Sequence, residues 1–311
     1  MIKTTPFEMV FIIRDCMKKN CIAALSMVLV LLMTGCGAAH TTEHAFSNWD
    51  DHVHKDMAGT EDTWSYLLTT EVRSLEHYDE DGRLLVSGRY EVPVMKVFHA
   101  DGTPYTEQTE LMAPAMQVAR QVNDCFAQRI KAWQINFAEI CTLAELDSRE
   151  NNGNWGKQGY YYTDAVQAVF WNNSHLACVT LRSDSFTGGA NHIRSRHALI
   201  FDMRTGKEIT INDMVDDYAG LRDAVALEIL GQIADGKYVK YYNGALLFDD
   251  YEETIPEWMT RSVFFGPQSM TVVFGMYDIA DYDAGEPAFM IPYTLIEPYL
   301  NQYGKTVLEI G

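Results

Sequence analysis

The sequence contains few cysteines, few basic residues and no apolar run long enough to cross a membrane. Only 6 of its 311 residues are cysteine, and 43 acidic side chains outnumber 24 basic ones, which gives a net charge of −19 at pH 7. A protein surface with this excess of negative charge repels the phosphate backbones of nucleic acids. We therefore expect no nucleic-acid partner. The longest apolar run, residues 21–33, is shorter than the roughly 20 residues that a spanning helix needs.

The spacing of the cysteines predicts no metal centre and no obvious disulfide. Cys125 and Cys141 lie in one predicted helix, 16 residues apart, which separates them by roughly 24 Å along the helix axis. A disulfide tolerates only about 7 Å between Cα atoms. We therefore predict that Cys125, Cys141 and Cys178 are small buried residues, and a bridge from Cys178 to one of the other two stays open. No cofactor is expected.

The N-terminal segment has the pattern of an export signal. Lys18 and Lys19 precede the apolar run, and Thr34-Gly35-Cys36 follow it. A short apolar core between a basic start and small residues is typical of a signal peptide, with a buried apolar helix as the alternative. The segment resembles a bacterial lipoprotein signal, which implies cleavage before Cys36 and attachment of lipid to its thiol.

The export signal sets the expected location of the protein. We predict that residues 1–35 form the signal peptide, with Met17 as the true start, and that the polar residues 36–60 form a flexible tether. The folded part would then be held by its lipid anchor alone on the outer face of the bacterial cytoplasmic membrane.

Hydrophobic patterns predict an α+β fold, with mostly antiparallel sheets packed on one long and one medium helix and no alternating strand–helix–strand units. An N-terminal subdomain at 61–155 is expected to contain a hairpin around Asp81-Gly82. A long amphipathic helix should begin at Pro114 and end before Asn151. Pro93 has no backbone N–H, so its strand should be an edge strand or break there.

Residues 156–311 are expected to form a C-terminal domain. Runs of alternating residues separated by turn residues predict an antiparallel meander. A second helix is predicted at 221–236, with Asp216 and Asp217 near its N-terminus, where the helix dipole favours negative charge. A further hairpin is predicted around Gly266-Pro267.

Two stretches of this segment carry a family resemblance. They read SFTGGANH followed by RHALIFDMRTGKEITINDMV, and VVFGMYDIADYDAGEPAFMIPY. They resemble the extracytoplasmic domain of the anti-sigma-V factor family, the RsiV-like domain. The matching positions are Phe186–Asn191, Asp202–Lys207, Asp213 and Tyr277–Gly285. Asn191 stands where the family usually has histidine, and Asp281 stands where it has proline.

The resemblance implies a binding domain outside the cell. In the anti-sigma factor this domain binds lysozyme, and in some peptidoglycan deacetylases it precedes the catalytic module. We expect a free-standing, lipid-anchored copy of the domain, with neither a sigma-binding segment nor a deacetylase module.

The glycine pair in SFTGGANH has three interpretations. Glycine adopts backbone angles that other residues resist, so the pair indicates a tight corner between strands. Alternatively, the corner contacts a ligand or takes part in catalysis. It lacks both the G-x-S-x-G pattern of a nucleophile elbow and the ending of a phosphate loop. We predict no catalytic residue, and the candidate binding residues of the corner are Thr187, Gly188, Gly189, Asn191 and His192.

The loop DIADYDAGE is rich in carboxylates. They belong to Asp278, Asp281, Asp283 and Glu286. Paired carboxylates do acid–base work in glycosidases and clustered ones hold calcium, but this spacing fits no EF-hand, and a solvated acidic loop is the simpler interpretation. We predict no metal ligand, and the candidate binding residues of the loop are Tyr277, Asp281, Tyr282 and Asp283.

Taken together, these features predict a non-enzymatic extracytoplasmic lipoprotein that binds a cell-envelope protein or glycan. A cationic lysozyme-like muramidase fits the acidic charge and the family resemblance, and peptidoglycan fragments are the other expected ligand. Two alternatives remain: a cell-wall carbohydrate hydrolase or deacetylase that uses the acidic loop, and a structural envelope protein without a ligand.

Overall fold

The computed structural model describes seven stretches of the chain. They are residues 41–44, 53–55, 63–105, 114–151, 161–189, 191–236 and 247–311. The predicted signal peptide, Cys36 and most of the predicted tether lie outside the described residues.

The elements follow one another along these stretches. The strands are β1 (Thr41–His44), β2 (Val53–Lys55), β3 (Thr63–Tyr78), β4 (Leu84–His99), β5 (Tyr162–Asn172), β6 (Leu176–Phe186), β7 (Ile193–Asp202), β8 (Glu208–Ile209), β9 (Ser262–Phe265), β10 (Ser269–Val273) and β11 (Ala288–Pro292). The helices are α1 (Pro114–Glu150), α2 (Tyr218–Ala234), α3 (Tyr251–Thr254), α4 (Tyr293–Ile296) and α5 (Gln302–Val307). Short 3₁₀ helices lie at Ile211–Met214, Ile255–Thr260, Tyr282–Ala284 and Glu297–Tyr299.

In the described part of the chain, eight strands form the main sheet. Their order is β1-β3-β4-β5-β6-β7-β8, and β2 also pairs with β3. Within these residues every neighbouring pair is antiparallel except β4 with β5. The predicted α+β class with mostly antiparallel sheets packed on a long helix is therefore confirmed.

The parallel pair of β4 and β5 corrects one expectation. Parallel neighbours need a long crossover, and α1 lies between these two strands in the chain. The chain thus contains a strand–helix–strand unit where none was predicted. The pairing also spans the predicted boundary at 155/156, so the two predicted segments share one sheet.

The β3–β4 hairpin forms around Asp81-Gly82, as predicted. One carboxylate oxygen of Asp79 accepts the backbone N–H groups of Asp81 and Arg83 at 3.0 and 2.8 Å. Gly82 takes a φ of 76°, in the region that glycine adopts most readily. The turn is therefore fixed by residues local to it.

β4 continues through Pro93 without a break. Pro93 lies opposite Thr70 of β3, whereas β5 pairs only with Val86–Tyr90. Among the described strands, Pro93 therefore has a paired neighbour on one side only. A proline is tolerated where no second strand needs its missing N–H as a donor. The prediction of an edge strand or a break was therefore wrong, because β4 is an interior strand of the sheet and Pro93 lies beyond the segment of β4 that pairs with β5.

The long helix α1 begins at Pro114 and ends at Glu150, close to the predicted bounds. A proline at the first helical position costs no hydrogen bond, because that N–H has no partner within the helix. Phe126 is buried on the face of α1 toward the sheet and packs edge-on against Phe201 of β7, with ring centroids 5.5 Å apart. Among the helices of the described stretches, none has both the length and the apolar character to cross a membrane.

Two hydrophobic cores lie on opposite faces of β6 and β7. Side chains alternate along a strand, so Val179 and Leu199 face α1, whereas Cys178 and Ile200 face the other way. The second core is completed by α2, α4, α5 and the three-stranded sheet β9-β10-β11. The predicted hairpin around Gly266-Pro267 joins β9 to β10.

The start of α2 follows the prediction from its acidic residues. Asp217 precedes the helix, and its carboxylate accepts the Gly220 N–H at 2.9 Å. This contact satisfies one of the backbone donors that a helix leaves unpaired at its N-terminus.

The three described cysteines form no disulfide. Cys178 is buried in the second core, as predicted, but Cys125 and Cys141 are only half-buried, so that prediction was wrong for both residues on α1. The alternative of a bridge from Cys178 to α1 is also wrong, because α1 packs on the opposite face of β6.

Candidate functional site

The glycine pair forms the corner between β6 and β7. These strands are antiparallel neighbours, and their last pair joins Ser185 to Ile193. Gly188 and Gly189 take φ angles of 86° and 90°, which glycine adopts because it has no Cβ to clash. The strand corner is confirmed, while contact with a ligand stays a prediction.

Asp184 of β6 holds two side chains at this corner. The Nδ1 atom of His192 lies 2.5 Å from Asp184 Oδ1, and Arg194 Nε donates to Asp184 Oδ2 at 2.8 Å. The ring of His192 also stacks on Phe186, with centroids 4.9 Å apart. Burial disfavours ionisation of Asp184, but the hydrogen bonds from His192 and Arg194 outweigh it and lower the pKa of Asp184. His192 is thus fixed in orientation by its neighbours.

The serines of these strands do not form a catalytic triad with His192 and Asp184. Ser183 and Ser195 lie directly opposite each other, with their Oγ atoms 2.6 Å apart. Alternation along β6 places Ser183 on the face toward α1 and Asp184 on the other face. Strand geometry therefore separates the hydroxyls from the histidine.

Three of the four carboxylates of the acidic loop are engaged in holding the loop, namely Glu286, Asp281 and, as described below, Asp278. Glu286 Oε2 accepts from Arg196 Nε at 2.8 Å, and the Glu286 side chain is only 8% exposed. Asp281 accepts the Tyr282 N–H and so begins the 3₁₀ helix Tyr282–Ala284. In the stretches that the structure describes, no three carboxylate, histidine or cysteine side chains cluster as metal ligands. The geometry therefore favours a structural use of these carboxylates over acid–base chemistry.

Tyr277 is the one aromatic side chain of the loop that is both exposed and conformationally strained. Its φ is 65°, and 48% of the residue is exposed. Such a left-handed conformation costs about 1 kcal/mol for a residue with a Cβ. Asp278 holds the turn, since its carboxylate accepts the Gly275 N–H at 2.7 Å and pairs with Arg261 at 3.2 Å.

The corner and the acidic loop meet along β7. The Arg194 N–H donates to Met276 Sδ at 3.2 Å, and Arg196 pairs with Glu286 as described above. The pKa of Arg194 is raised, mainly by its hydrogen bond to Asp184, with smaller contributions from Tyr282 and Glu286. The two predicted candidate regions are therefore adjacent.

We call this region the corner–loop surface and define it by five residues. They are His192, Tyr277, Asp281, Tyr282 and Asp283. The rings of Tyr277 and Tyr282 lie 6.3 Å apart within it. The other predicted residues lie in the corner itself: Thr187, Gly188, Gly189 and Asn191. The hydrogen bonds between this region and the acidic loop are made by Arg194 and Arg196.

Sequence reasoning missed the arginines that connect the two regions. Arg194 and Arg196 are two residues apart in β7, and Arg182 and Asp184 are two apart in β6. Residues at this spacing in a strand share one face. The alternating charged residues were therefore a readable signal for a polar face on an otherwise apolar sheet.

Comparison with known proteins identifies structural neighbours. No family model matches the chain, and no curated protein matches it in sequence. A DUF3298 family protein from Bacteroides fragilis NCTC 9343 is similar in structure, with a TM-score of 0.55 and 13% identity, over 79% of this chain and 97% of that chain. A DUF3298 family protein from Pseudomonas aeruginosa PAO1 gives a TM-score of 0.44 and 17% identity, over 76% of this chain and 95% of that chain.

The likeness to the Bacteroides protein bears on the fold alone. DUF3298 proteins contain RsiV-like domains, so the fold agrees with the resemblance found in the sequence. At 13% identity to the Bacteroides protein, the likeness carries no information on ligand or activity.

Proposed function

We propose that this chain is a non-enzymatic binding protein of the cell envelope, anchored by lipid at Cys36, and that the corner–loop surface docks its partner. The observation that carries this proposal is Tyr277, an exposed aromatic residue held in a strained conformation by Asp278 and Arg261. Strained residues persist where the surroundings fix them, and they concentrate at sites of recognition. Exposed tyrosines also dominate the energetics of many interfaces.

The charge of the surface favours a cationic partner. Asp281 and Asp283 are exposed on either side of Tyr282, and the whole chain carries a net charge of −19. Opposite charge speeds the encounter of two proteins and orients them. A basic lysozyme-like muramidase is therefore the proposed partner, in agreement with the RsiV-like resemblance of the sequence.

Replacing Tyr277 with glycine should separate binding from stability. Tyr277→Gly removes the ring but keeps the left-handed backbone, so we expect lysozyme affinity to fall about tenfold or more. The unfolding free energy should stay within about 1 kcal/mol, because relief of strain offsets the entropy that glycine adds to the unfolded chain. Biolayer interferometry with lysozyme and urea unfolding measure the two effects.

Tyr218 provides the matched control, since it is 45% exposed at the first turn of α2. Tyr218→Ala should leave lysozyme binding unchanged. Absence of lysozyme binding to the wild-type chain at low salt would refute this partner. Equal binding by wild type and Tyr277→Gly would instead refute the docking surface.

The acidic residues should act on the association rate rather than on the fold. In Asp281→Asn/Asp283→Asn, the asparagine at 281 still caps the 3₁₀ helix while both charges are removed. We expect the association rate with lysozyme to fall roughly two- to tenfold at low salt. The difference should vanish near 1 M salt, where charges are screened over about 3 Å.

Two exposed aspartates lie outside the corner–loop surface: Asp223 within α2 and Asp235 at the C-terminal end of α2. Asp223→Asn/Asp235→Asn removes the same total charge and should change the association rate less. Equal slowing by both double variants would mean that only the net charge matters and that the partner does not dock at the acidic loop.

A further inference from the structure

Three arginines project from the face of β6 and β7 that points away from α1. Arg182 lies directly opposite Arg196 in the strand register, and Asp184 lies opposite Arg194. These positions alternate with residues such as Leu181 that belong to the core under α1. We call Arg182, Arg194 and Arg196 the arginine face.

The charge of this face is only partly compensated. Arg194 pairs with Asp184 at 2.8 Å, and Arg196 pairs with Glu286 at 2.8 Å. Arg182 has no hydrogen-bond or ion-pair partner among the residues that the structure describes. One guanidinium is therefore left uncompensated, on a chain whose net charge is −19.

The placement of Arg182 is unfavourable without a ligand. Like charges directly opposite each other on neighbouring strands destabilise a sheet. The pKa of Arg182 is lowered, first by its partial burial and then by the charge of Arg196, and the charge of Glu286 opposes this only in part. Among the described residues, Arg182 thus has no ion pair of its own, and the charge of Glu286, which pairs with Arg196, does not offset the unfavourable effects on Arg182.

The surroundings of Arg182 offer further donors on the same face. On its other side, Gln167 of β5 lies directly opposite Arg182 and is exposed. Its amide can donate to a ligand oxygen. Arg196 is held in place by its ion pair with Glu286 and lies beside Arg182 in the sheet. On this face, the guanidinium of Arg182 is therefore flanked by the Gln167 amide on one side and by Arg196 on the other.

We propose that Arg182, with Gln167 and Arg196 beside it, binds an oxyanion, either a carboxylate or a phosphate group of a small molecule or glycan. A guanidinium fork matches such a group through two parallel hydrogen bonds. This site is distinct from the corner–loop surface, which presents carboxylates and tyrosines and suits a cation. The chain would then carry an anion site and a cation-binding surface on neighbouring parts of one domain.

The test compares thermal unfolding in phosphate, acetate and chloride at constant ionic strength. A ligand that binds only the folded chain raises its melting temperature. We expect phosphate or acetate to raise the melting temperature of the wild type relative to chloride. In Arg182→Gln this rise in melting temperature should disappear, because the variant should bind the oxyanion about tenfold or more weakly. Isothermal titration calorimetry measures this loss of affinity.

Two further variants exclude general effects of charge and folding. Arg222→Gln removes an exposed arginine that pairs with Asp223 at 2.8 Å on α2, and it should keep the full response to phosphate. Arg182→Lys keeps the charge without the fork and should respond less than the wild type. In chloride alone, Arg182→Gln should unfold at the same or a higher temperature than the wild type, because it removes the opposed charges.

The order of wild type and Arg182→Gln should thus reverse between chloride and the binding anion. A rise in melting temperature with phosphate alone identifies the bound group as a phosphate, and a rise with acetate identifies it as a carboxylate. Either result supports the site. Absence of any specific shift in the wild type, or an equal shift in Arg182→Gln, overturns it. Neither result affects the lysozyme test, which depends on Tyr277.

Discussion

Asp202→Ala is expected to lower the unfolding free energy by about 2–4 kcal/mol. Asp202 ends β7 and is 4% exposed. One of its oxygens accepts the backbone N–H of Arg204 at 2.8 Å, and the other accepts from Arg204 Nη2 at 3.1 Å and from the Tyr303 hydroxyl at 2.9 Å. Alanine would leave all of these donors without their acceptor.

The size of the effect follows from what Asp202 connects. Its contacts join the main sheet to the following turn and to Tyr303 of α5, and the Arg204 guanidinium lies 5.4 Å from the centre of the Tyr303 ring. Removing one partner of a buried charged network costs more than the network contributes, because the remaining groups stay desolvated. Arg204 is 40% exposed and can regain water, which places the expected loss at the lower end for such networks.

Asp223 provides the control for this prediction. It also pairs with an arginine, but its side chain is 63% exposed, and such surface pairs contribute about 0–1 kcal/mol. Asp223→Ala should therefore shift the urea midpoint little, and Asp202→Asn should fall between Asp223→Ala and Asp202→Ala. If Asp202→Ala unfolded at the same urea concentration as Asp223→Ala, the central role of Asp202 would be disproved.

The same network predicts part of the acid sensitivity of the fold. Burial opposes ionisation of Asp202, but the hydrogen bonds from Arg204 and Tyr303 prevail and lower its pKa. A lowered pKa stabilises the folded state above the ordinary aspartate value of about 3.9. This contribution is lost as the pH falls through the lower pKa of the folded state. The difference in stability between wild type and Asp202→Asn should accordingly shrink below about pH 4.

The elements that the sequence predicted well are those specified by neighbouring residues. The turn at Asp81-Gly82 needs a positive φ and a carboxylate two residues before Asp81, and both are local. The helix from Pro114 is specified by apolar residues at three- and four-residue spacing. The corner at Gly188-Gly189 likewise needed only the two glycines.

The strand order could not be predicted in the same way. The parallel pairing of β4 with β5 joins residues such as Val86 and Tyr162 that lie on either side of α1. Hydrophobic periodicity shows that a segment is a strand, but it does not show which strand lies beside it. For the same reason, the sequence did not show that strands on either side of the predicted boundary at 155/156 pair within one sheet.

The site shows a similar division between local and distant contacts. Sequence motifs identified the corner and the acidic loop separately. Arg194 lies outside the quoted stretches, and Arg196 begins the stretch RHALIFDMRTGKEITINDMV without being singled out as a candidate. The contact between Arg196 and Glu286 joins residues 90 positions apart, and only the fold reveals it. The alternation of charge along β6 and β7 was visible in the sequence, but its meaning depends on which face of the sheet α1 covers.

Gly304→Ala is expected to destabilise the fold by about 2–3 kcal/mol or more. Gly304 is buried in α5, and a Cβ at this position would lie 2.2 Å from the carbonyl oxygen of Met214. That oxygen also accepts the Asn301 N–H at 3.0 Å, so neither backbone can shift without losing a hydrogen bond. The added methyl group must push α5 away from the 3₁₀ helix Ile211–Met214.

Gly231→Ala provides a control with the opposite sign. Gly231 is an exposed helical glycine of α2, and a Cβ there would have no atom within 4 Å. Alanine in the interior of a helix is about 0.5–1 kcal/mol more stable than glycine, so this variant should unfold at higher urea than the wild type. Both variants make the same chemical change in a helix, and their different surroundings alone should set the sign. Wild-type stability in Gly304→Ala would show that α5 does not lie against Met214, and the packing of the C-terminus on the second core would have to be revised.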